Sequence, residues 1–231
     1  MDVADPRVAD IKFCGLTRAV DAELAAELGA AFAGAIFAGG PRLLTPERAR
    51  EVFAPLAGTP LVKVGVFGAD PVVEIARIAD SAGVDVVQLH GGSTPAIVRD
   101  LRARFGGEVW AVVRLLPEES LPADIADTAA AVDALVIDAA APGKLGGTGV
   151  ALDWARFTDD VRRLRAQLPR MRLVLAGGLK AENVGRALHL VRPDVVDVSS
   201  GVESAPGIKD SLRMRDFARA VRSAMDEVPE S

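Results

Sequence analysis

The only cysteine of the chain, Cys14, lies in the stretch IKFCGLTR, at the end of a short apolar run that stops at Gly15. A thiolate at the end of a buried strand could act as a base, whereas a cysteine beside apolar residues is more often an inert small hydrophobic side chain. Lys12 precedes Cys14 by two residues and shares its face if the run is a strand. A lysine on an inward face needs an acidic partner, for which Asp197 is the candidate. Both roles of Cys14 stay open on this stretch alone.

A second group that could transfer protons is Asp138, which follows the apolar run ALVI. A carboxylate at the end of a buried strand is costly unless it is paired or used, and a raised pKa there would make it a general acid. An aspartate that caps a helix or forms a turn is the equally weighted alternative. Gln88 and His90, in VQLHG, lie two residues apart and therefore on one face of another strand. They are further candidates for the same site.

Small residues follow two later apolar runs, with Gly177 and Gly178 in LAGGL, and Ser200 and Gly201 in DVSSG. Backbone N–H groups can approach an anion closely where no Cβ intervenes. One such segment would indicate only a tight turn, but two of them favour a phosphate site. Gly147, in GGTG, is a further candidate, although a lone Gly-rich loop is weak evidence.

Arg42 follows a Gly-Gly-Pro turn, and its planar fork suits a carboxylate, although a solvated loop arginine is the commoner case. Apart from His90, the only other histidine is His189, whose helical pattern ALHLV predicts a surface or packing role. Because His90 has no second His or Cys nearby in the sequence, we predict no catalytic metal site.

Eight short apolar runs, each followed by a segment of helical length, must position these residues. The runs are nearly all apolar, which is typical of parallel strands covered on both faces. Eight such units in 231 residues predict an α/β fold, a single (β/α)8 TIM barrel with a parallel eight-stranded core. A doubly wound open sheet has the same local pattern and is the alternative. In a barrel the active site lies at the carboxyl ends of the strands, where most of the candidate residues fall.

The predicted strands are residues 11–14, 33–37, 61–67, 84–89, 109–115, 132–138, 172–176 and 194–199. The predicted helices are residues 18–29, 45–56, 70–83, 93–106, 121–131, 152–167, 180–191 and 208–225. Several of the helices start at a capping residue or proline, and several end at glycine.

Composition bounds the class of protein. Half of the residues (50%) are hydrophobic and no linker interrupts the pattern, so we expect one domain over residues 1–231, with residues 1–9 as a flexible N-terminal extension. The net charge of −5 argues against a nucleic-acid binder. We find no signal peptide or membrane-spanning run, and one cysteine forms no internal disulfide, so we expect a cytoplasmic protein.

Six motifs in fixed order connect the chain to a known family: IKFCGLTR, VGVF, VQLHG, IDA with GGTG and DW, AGGL with ENV, and DVSSGVES with PG and KD. Together they resemble the phosphoribosylanthranilate isomerase family of tryptophan biosynthesis, from about residue 11 to 217. The resemblance implies an aldose–ketose isomerase that carries out an Amadori rearrangement of a phosphorylated aminosugar, as a monomer or homodimer, with no metal or organic cofactor.

The resemblance also implies roles for individual residues. Cys14 would be the general base and Asp138 the general acid, while Arg42 would hold the substrate's carboxylate. The glycines and serines after the last two strands, together with the GGTG loop, would bind its phosphate. The chain departs from the family pattern at Phe13, where the family usually has Ile, and at Gly40, where it has Ser in a loop one residue longer.

Two other functions compete with this interpretation. An isomerase acting on an aminoaldose of histidine biosynthesis has a similar mechanism but uses paired aspartates, whereas the first strand here supplies a cysteine. A barrel without activity that binds a phosphorylated metabolite or a protein is the second alternative, and the presence of both Cys14 and Asp138 argues against it.

Overall fold

The computed structural model describes residues 9–116, 119–139 and 154–226. In this part of the chain eight parallel strands close into a barrel, and each strand is followed by a helix. The strands are β1 Asp10–Phe13, β2 Phe32–Ile36, β3 Val62–Phe67, β4 Val86–Leu89, β5 Glu108–Leu115, β6 Ala134–Ala139, β7 Arg172–Leu175 and β8 Val195–Val198. The barrel is therefore confirmed, and the open sheet is wrong because β1 pairs with both β2 and β8.

The helices surround the barrel. They are α1 Ala19–Glu27, α2 Pro46–Phe53, α3 Val72–Ala82, α4 Pro95–Arg102, α5 Ile125–Ala131, α6 Trp154–Gln167, α7 Ala181–Val191 and α8 Ser211–Asp226. Short 3-10 turns cover Ala54–Leu56 and Ser200–Val202, and the segments β9 Glu203–Ala205 and β10 Ile208–Lys209 form a small antiparallel hairpin before α8. No helix in the described ranges is long and apolar enough to cross a membrane.

The inside of the barrel changes from apolar to polar along the strands. We call its apolar part the lower barrel, comprising Phe32, Val64, Val86, Trp110, Ala134, Val174 and Val195. The Phe32 and Trp110 rings meet edge to face with centroids 4.9 Å apart, which fills the interior as in other barrels of this kind. Because inward positions recur every second residue, the same strand faces then present polar side chains at their carboxyl ends.

Ala9 is buried where it leads into β1, and residues 1–8 lie outside the described residues, so the expected flexible extension stays a prediction. One expectation near the other end of the chain was wrong. The last helix begins at Ser211 rather than Ile208. The carboxylate of Asp210 accepts hydrogen bonds from the backbone N–H groups of Leu212 and Arg213 and so caps the helix, which frees Ile208 and Lys209 for the hairpin.

Candidate active site

A cavity opens at the carboxyl ends of the strands and brings together ten of the twelve residues that the sequence selected. Its lining includes Cys14, Arg42, Gln88, His90, Asp138, Gly177, Gly178, Asp197, Ser200 and Gly201. Lys12 is fully buried on β1, where it donates to one of these residues, Asp197, and interacts electrostatically with another, Cys14. Gly147 lies outside the described residues, so its predicted role in phosphate binding stays a prediction.

Cys14 follows β1 and is 7% exposed, at the wall of the cavity. Its backbone N–H donates to the carbonyl of Val198 over 2.9 Å, which continues the β1–β8 ladder by one residue and fixes the thiol. Burial raises the pKa of the Cys14 thiol, and Asp197 raises it further, whereas Lys12 and Lys209 lower it. The net direction of the pKa shift is upward, so the thiol form dominates at neutral pH. The two ammonium groups nevertheless reduce the cost of forming a thiolate.

The predicted pair of Lys12 and Asp197 is present. Lys12 Nζ donates to Asp197 Oδ2 over 2.6 Å, across the β1–β8 seam where the two residues are paired in register. Burial lowers the pKa of Lys12, but Asp197 and Cys14 raise it by more, so the ammonium form is stabilised. Within the described chain, Asp197 Oδ1 has no hydrogen-bond partner although it is buried, and Asp197 lines the cavity. Lys12 therefore keeps a positive charge next to the sulfur.

Asp138 also lines the cavity, near the carboxyl end of β6. His90 Nε2 is 3.7 Å from Asp138 Oδ2, and Arg114 is its register neighbour on β5. Burial lowers the pKa of His90, as do Arg114 and Lys12, so its imidazole is neutral at pH 7. The contact between His90 and Asp138 is therefore not an ion pair. Gln88, on β4 and two residues before His90, presents a buried amide oxygen without a partner among the described residues.

The glycine rim is formed by the loops after β7 and β8, which touch each other. Gly177 and Gly178 adopt positive φ angles of 87° and 66°, which glycine adopts at no steric cost. A Cβ on Gly201 would lie 1.9 Å from the carbonyl oxygen of Leu179, so only glycine permits this close approach. Asn183 stabilises the first loop, because its side chain accepts from the N–H of Lys180 over 2.8 Å and donates to the carbonyl of Gly178 over 3.0 Å.

Sequence reasoning missed two buried charges next to Arg42. Arg42 is not a solvated loop residue, since its Nε and Nη2 donate to the two carboxylate oxygens of Glu203 over 2.7 and 2.6 Å. Lys209, buried on β10, donates to Glu203 Oε1 over 2.9 Å. In the motif that contains these two charged residues, the sequence predicts a role in phosphate binding for Ser200 and Gly201 and no role for Glu203 or Lys209. The six-residue separation of opposite charges around a Pro-Gly turn was the signal that could have revealed the pair.

His189 lies away from the cavity, on the exposed side of α7, where its Nδ1 is 2.7 Å from the carbonyl of Gly185. In the described ranges, no three His, Cys, Asp or Glu side chains are grouped in a way that could hold a metal ion.

These features define a class of protein: a (β/α)8 barrel with a thiol and a carboxylate facing one cavity beside a glycine-rich rim. The model of the family N-(5'-phosphoribosyl)anthranilate (PRA) isomerase matches residues 11–220. A relative from Pelobacter propionicus with that name is 37% identical over 219 residues, covering 94% of this chain and 97% of the relative. The chain belongs to the PRA isomerase family.

Solved structures support the same assignment. The phosphoribosyl anthranilate isomerase of Thermus thermophilus superposes with a TM-score of 0.79 at 34% identity, covering 93% of this chain and 98% of the other. A phosphoribosyl anthranilate isomerase in complex with reduced 1-(o-carboxyphenylamino)-1-deoxyribulose 5-phosphate superposes with a TM-score of 0.73 at 30% identity, covering 93% and 99%.

Proposed function

We infer that this protein is a phosphoribosylanthranilate isomerase, an aldose–ketose isomerase of tryptophan biosynthesis. It converts N-(5-phosphoribosyl)anthranilate into 1-(2-carboxyphenylamino)-1-deoxyribulose 5-phosphate by an Amadori rearrangement. The observation that carries this conclusion is the family match over residues 11–220, joined to a cavity that both Cys14 and Asp138 line.

Cys14 and Asp138 divide the proton transfers in this proposal. Asp138 protonates the furanose ring oxygen, the C1–O bond breaks, and the nitrogen lone pair forms a Schiff base with C1. Cys14, as thiolate, then removes the proton from C2 and leaves an enolamine, which tautomerises to the aminoketose. One acid and one base are sufficient, because hydrogen only moves within the substrate and no external electron acceptor is required.

Lys12 is the group best placed to stabilise the thiolate form of Cys14 that this step requires. Burial alone would keep Cys14 protonated, but the fully buried ammonium group of Lys12 lowers the pKa of the thiol and so favours the charged form. Asp197 holds that ammonium in place over 2.6 Å. Its second oxygen and the amide oxygen of Gln88 are acceptors that suit the hydroxyl groups of the sugar.

The two ends of the substrate would be held by different elements. The glycine rim, through the backbone N–H groups of Gly177, Gly178, Ser200 and Gly201, is the proposed phosphate site, because the loops approach each other without intervening side chains. Arg42 would bind the anthranilate carboxylate. The sugar would then lie between them, over Cys14 and Asp138.

We also propose that the protein acts in the cytoplasm as a single-domain monomer or homodimer, with a phosphorylated aminosugar and no nucleic acid as its partner. The cysteine that follows β1 separates this chain from the related isomerases with paired aspartates.

The test is a fluorescence assay with purified protein and freshly made N-(5-phosphoribosyl)anthranilate. We expect the emission of the anthranilate adduct to decay with first-order dependence on enzyme concentration. Binding of the substrate without such decay would favour a barrel that only binds the metabolite, and decay that is unaffected by Cys14→Ala would contradict the assigned base.

A further inference from the structure

Lys209, Glu203 and Arg42 form a buried ion network, of which the proposed mechanism uses only Arg42. Lys209 has a fully buried side chain and donates to three acceptors: the backbone carbonyl of Cys14 over 2.6 Å, the backbone carbonyl of Ser199 over 3.0 Å, and Glu203 Oε1 over 2.9 Å. An ammonium group has three donors, so Lys209 is satisfied and has none left for a substrate. Lys209 therefore contributes to the site by holding these three acceptors in place and does not bind a ligand itself.

Glu203 connects Lys209 to Arg42, because its carboxylate accepts hydrogen bonds from both side chains. Burial raises the pKa of Glu203, but Arg42 and Lys209 lower it by more, so the carboxylate stays charged. It engages the side of the guanidinium formed by Nε and Nη2. Nη1 has no hydrogen-bond partner among the described residues, so Nη1 and the second hydrogen of Nη2 form a free end that fits a second carboxylate.

Gly15 makes room for this arrangement. A Cβ at Gly15 would lie 2.6 Å from Arg42 Cδ, so the arginine side chain crosses directly over the residue that follows Cys14. The arginine is thus fixed both by packing against the end of β1 and by the carboxylate of Glu203. Its side chain is only 12% exposed, which agrees with a pre-oriented group rather than a mobile one.

We propose that Lys209 and Glu203 are positioning residues that set the carboxylate-binding end of Arg42 at a fixed place relative to Cys14 and the loop that begins at Ser199. The inference rests on the proposed function, because it assumes that Arg42 binds the anthranilate carboxylate. One buried lysine thereby connects the three parts of the site: the base, the start of the phosphate loop and the carboxylate-binding arginine.

Substitutions of Glu203 and Lys209 should have different effects on KM and kcat. Glu203→Gln keeps the shape of the side chain but directs an amide donor at Arg42 or Lys209, so Arg42 loses its orientation. We expect KM to rise by about 10- to 100-fold with a small change in kcat. Lys209→Met also releases the carbonyl of Cys14, so we expect kcat to fall as well. Glu23→Gln, on an exposed position of α1, is the matched control and should leave both constants unchanged.

The decisive readout is a substrate that lacks the carboxylate, N-(5-phosphoribosyl)aniline. With this compound Glu203→Gln and Arg42→Ala should have the same kcat/KM as the unmodified enzyme, and adding Glu203→Gln to Arg42→Ala should change KM for the natural substrate by less than about twofold. Equal losses on both substrates, or additive losses in the double variant, would make Glu203 a merely structural residue and overturn the proposal.

A second measurement separates this inference from the proposed function. The Nε–H resonance of Arg42 in a nitrogen-15 spectrum should be resolved and slow to exchange with water in the unmodified protein, and it should be lost in Glu203→Gln. This outcome needs no turnover. If the protein does not isomerise the substrate, the proposed function fails while the spectrum still decides whether Glu203 holds Arg42; a resonance that persists in Glu203→Gln refutes the positioning role.

Discussion

The lower barrel and the mouth, by which we mean the carboxyl ends of the strands around the cavity, are built from the same strands. Their inward side chains differ, because those of the lower barrel are apolar and those of the mouth are largely polar. In the lower barrel, Phe32, Val86 and Trp110 are buried in one apolar cluster, and the polar side-chain group among them, the indole N–H of Trp110, donates to Glu108 Oε2 over 2.9 Å. At the mouth, Gln88 lies two residues after Val86, Arg114 lies four after Trp110, and Asp138 lies four after Ala134. Further polar side chains there are His90, Lys12 and Asp197.

Burying so many polar groups costs free energy that a purely structural barrel would avoid. Some of that cost is offset by pairs such as Lys12 and Asp197. Some is not, because the buried oxygens Gln88 Oε1 and Asp197 Oδ1 have no partner within the described ranges. The difference indicates that the lower barrel stabilises the fold, while the mouth holds groups in readiness for a ligand. Variants in the two regions should therefore separate stability from activity.

The largest effect is expected for Cys14→Ser. A hydroxyl is close in size to a thiol but far less acidic, so the base is lost while the binding groups remain. We expect kcat to fall by about 10²- to 10⁴-fold with little change in melting temperature. Single-turnover assays and thermal unfolding measure the two quantities. Turnover within a few-fold of the unmodified enzyme would mean that Cys14 belongs with the packing residues of the lower barrel.

The next effect concerns the cation beside the sulfur. Lys12→Met alone would leave Asp197 buried without its partner and destabilise the fold, so the informative variant is Lys12→Met with Asp197→Asn. Lys12 lowers the pKa of Cys14 more than Asp197 raises it, so removing both raises that pKa. Since the thiolate is the active form, the rising limb of kcat/KM against pH should move to higher pH.

The pH profile of Cys14→Ser serves as the control for that experiment, because it lacks the thiol. A rising limb at the same pH in the double variant and the unmodified enzyme would show that Lys12 does not tune the base.

Arg42→Ala should act mainly on binding. The carboxylate it is proposed to hold is remote from the reacting carbons, and losing a charge-assisted pair costs about 2–3 kcal/mol, or about 30- to 150-fold in kcat/KM. We expect most of this change in KM. An unchanged KM would assign the carboxylate to another cation at the mouth, such as Arg114.

Inorganic phosphate should be a weak competitive inhibitor, because backbone donors of the glycine rim bind a free ion less well than the whole substrate. Inhibition should appear only at high phosphate concentration, and a crystal soaked in sulfate should show the ion at Gly178, Ser200 and Gly201. An ion bound at Arg42 with the rim empty would remove the support for this phosphate site.

The sequence predicted the residues that line the mouth better than the ion pairs that hold them in place, and the reason is physical. Cys14, Asp138 and His90 could be placed because alternation along a strand and the barrel rule together fix which end and which face they occupy. Lys12 and Asp197 are 185 residues apart, and they were found only because the closing of β1 on β8 follows from the fold. Arg42 and Glu203 are 161 residues apart in two loops, which obey no such rule.

The predicted start of α8, at Ile208, was wrong for a similar reason. Helical periodicity extends through Ile208 and Lys209, but the cap at Asp210 and the buried partners of Lys209 outweigh it. Local propensity gives way where tertiary contacts are stronger.

The smallest effect on activity is expected in the lower barrel. Phe32→Leu removes an edge-to-face contact with Trp110 and leaves a partly filled space, but Phe32 does not itself line the cavity. We expect the free energy of unfolding to fall by about 1–3 kcal/mol while kcat/KM stays within twofold. Urea unfolding and steady-state kinetics on the same preparation measure both quantities. A fall in kcat/KM comparable to that of Arg42→Ala, in a protein that remains folded, would show that packing below the mouth also sets the geometry of the site, and the separation of the two regions would not hold.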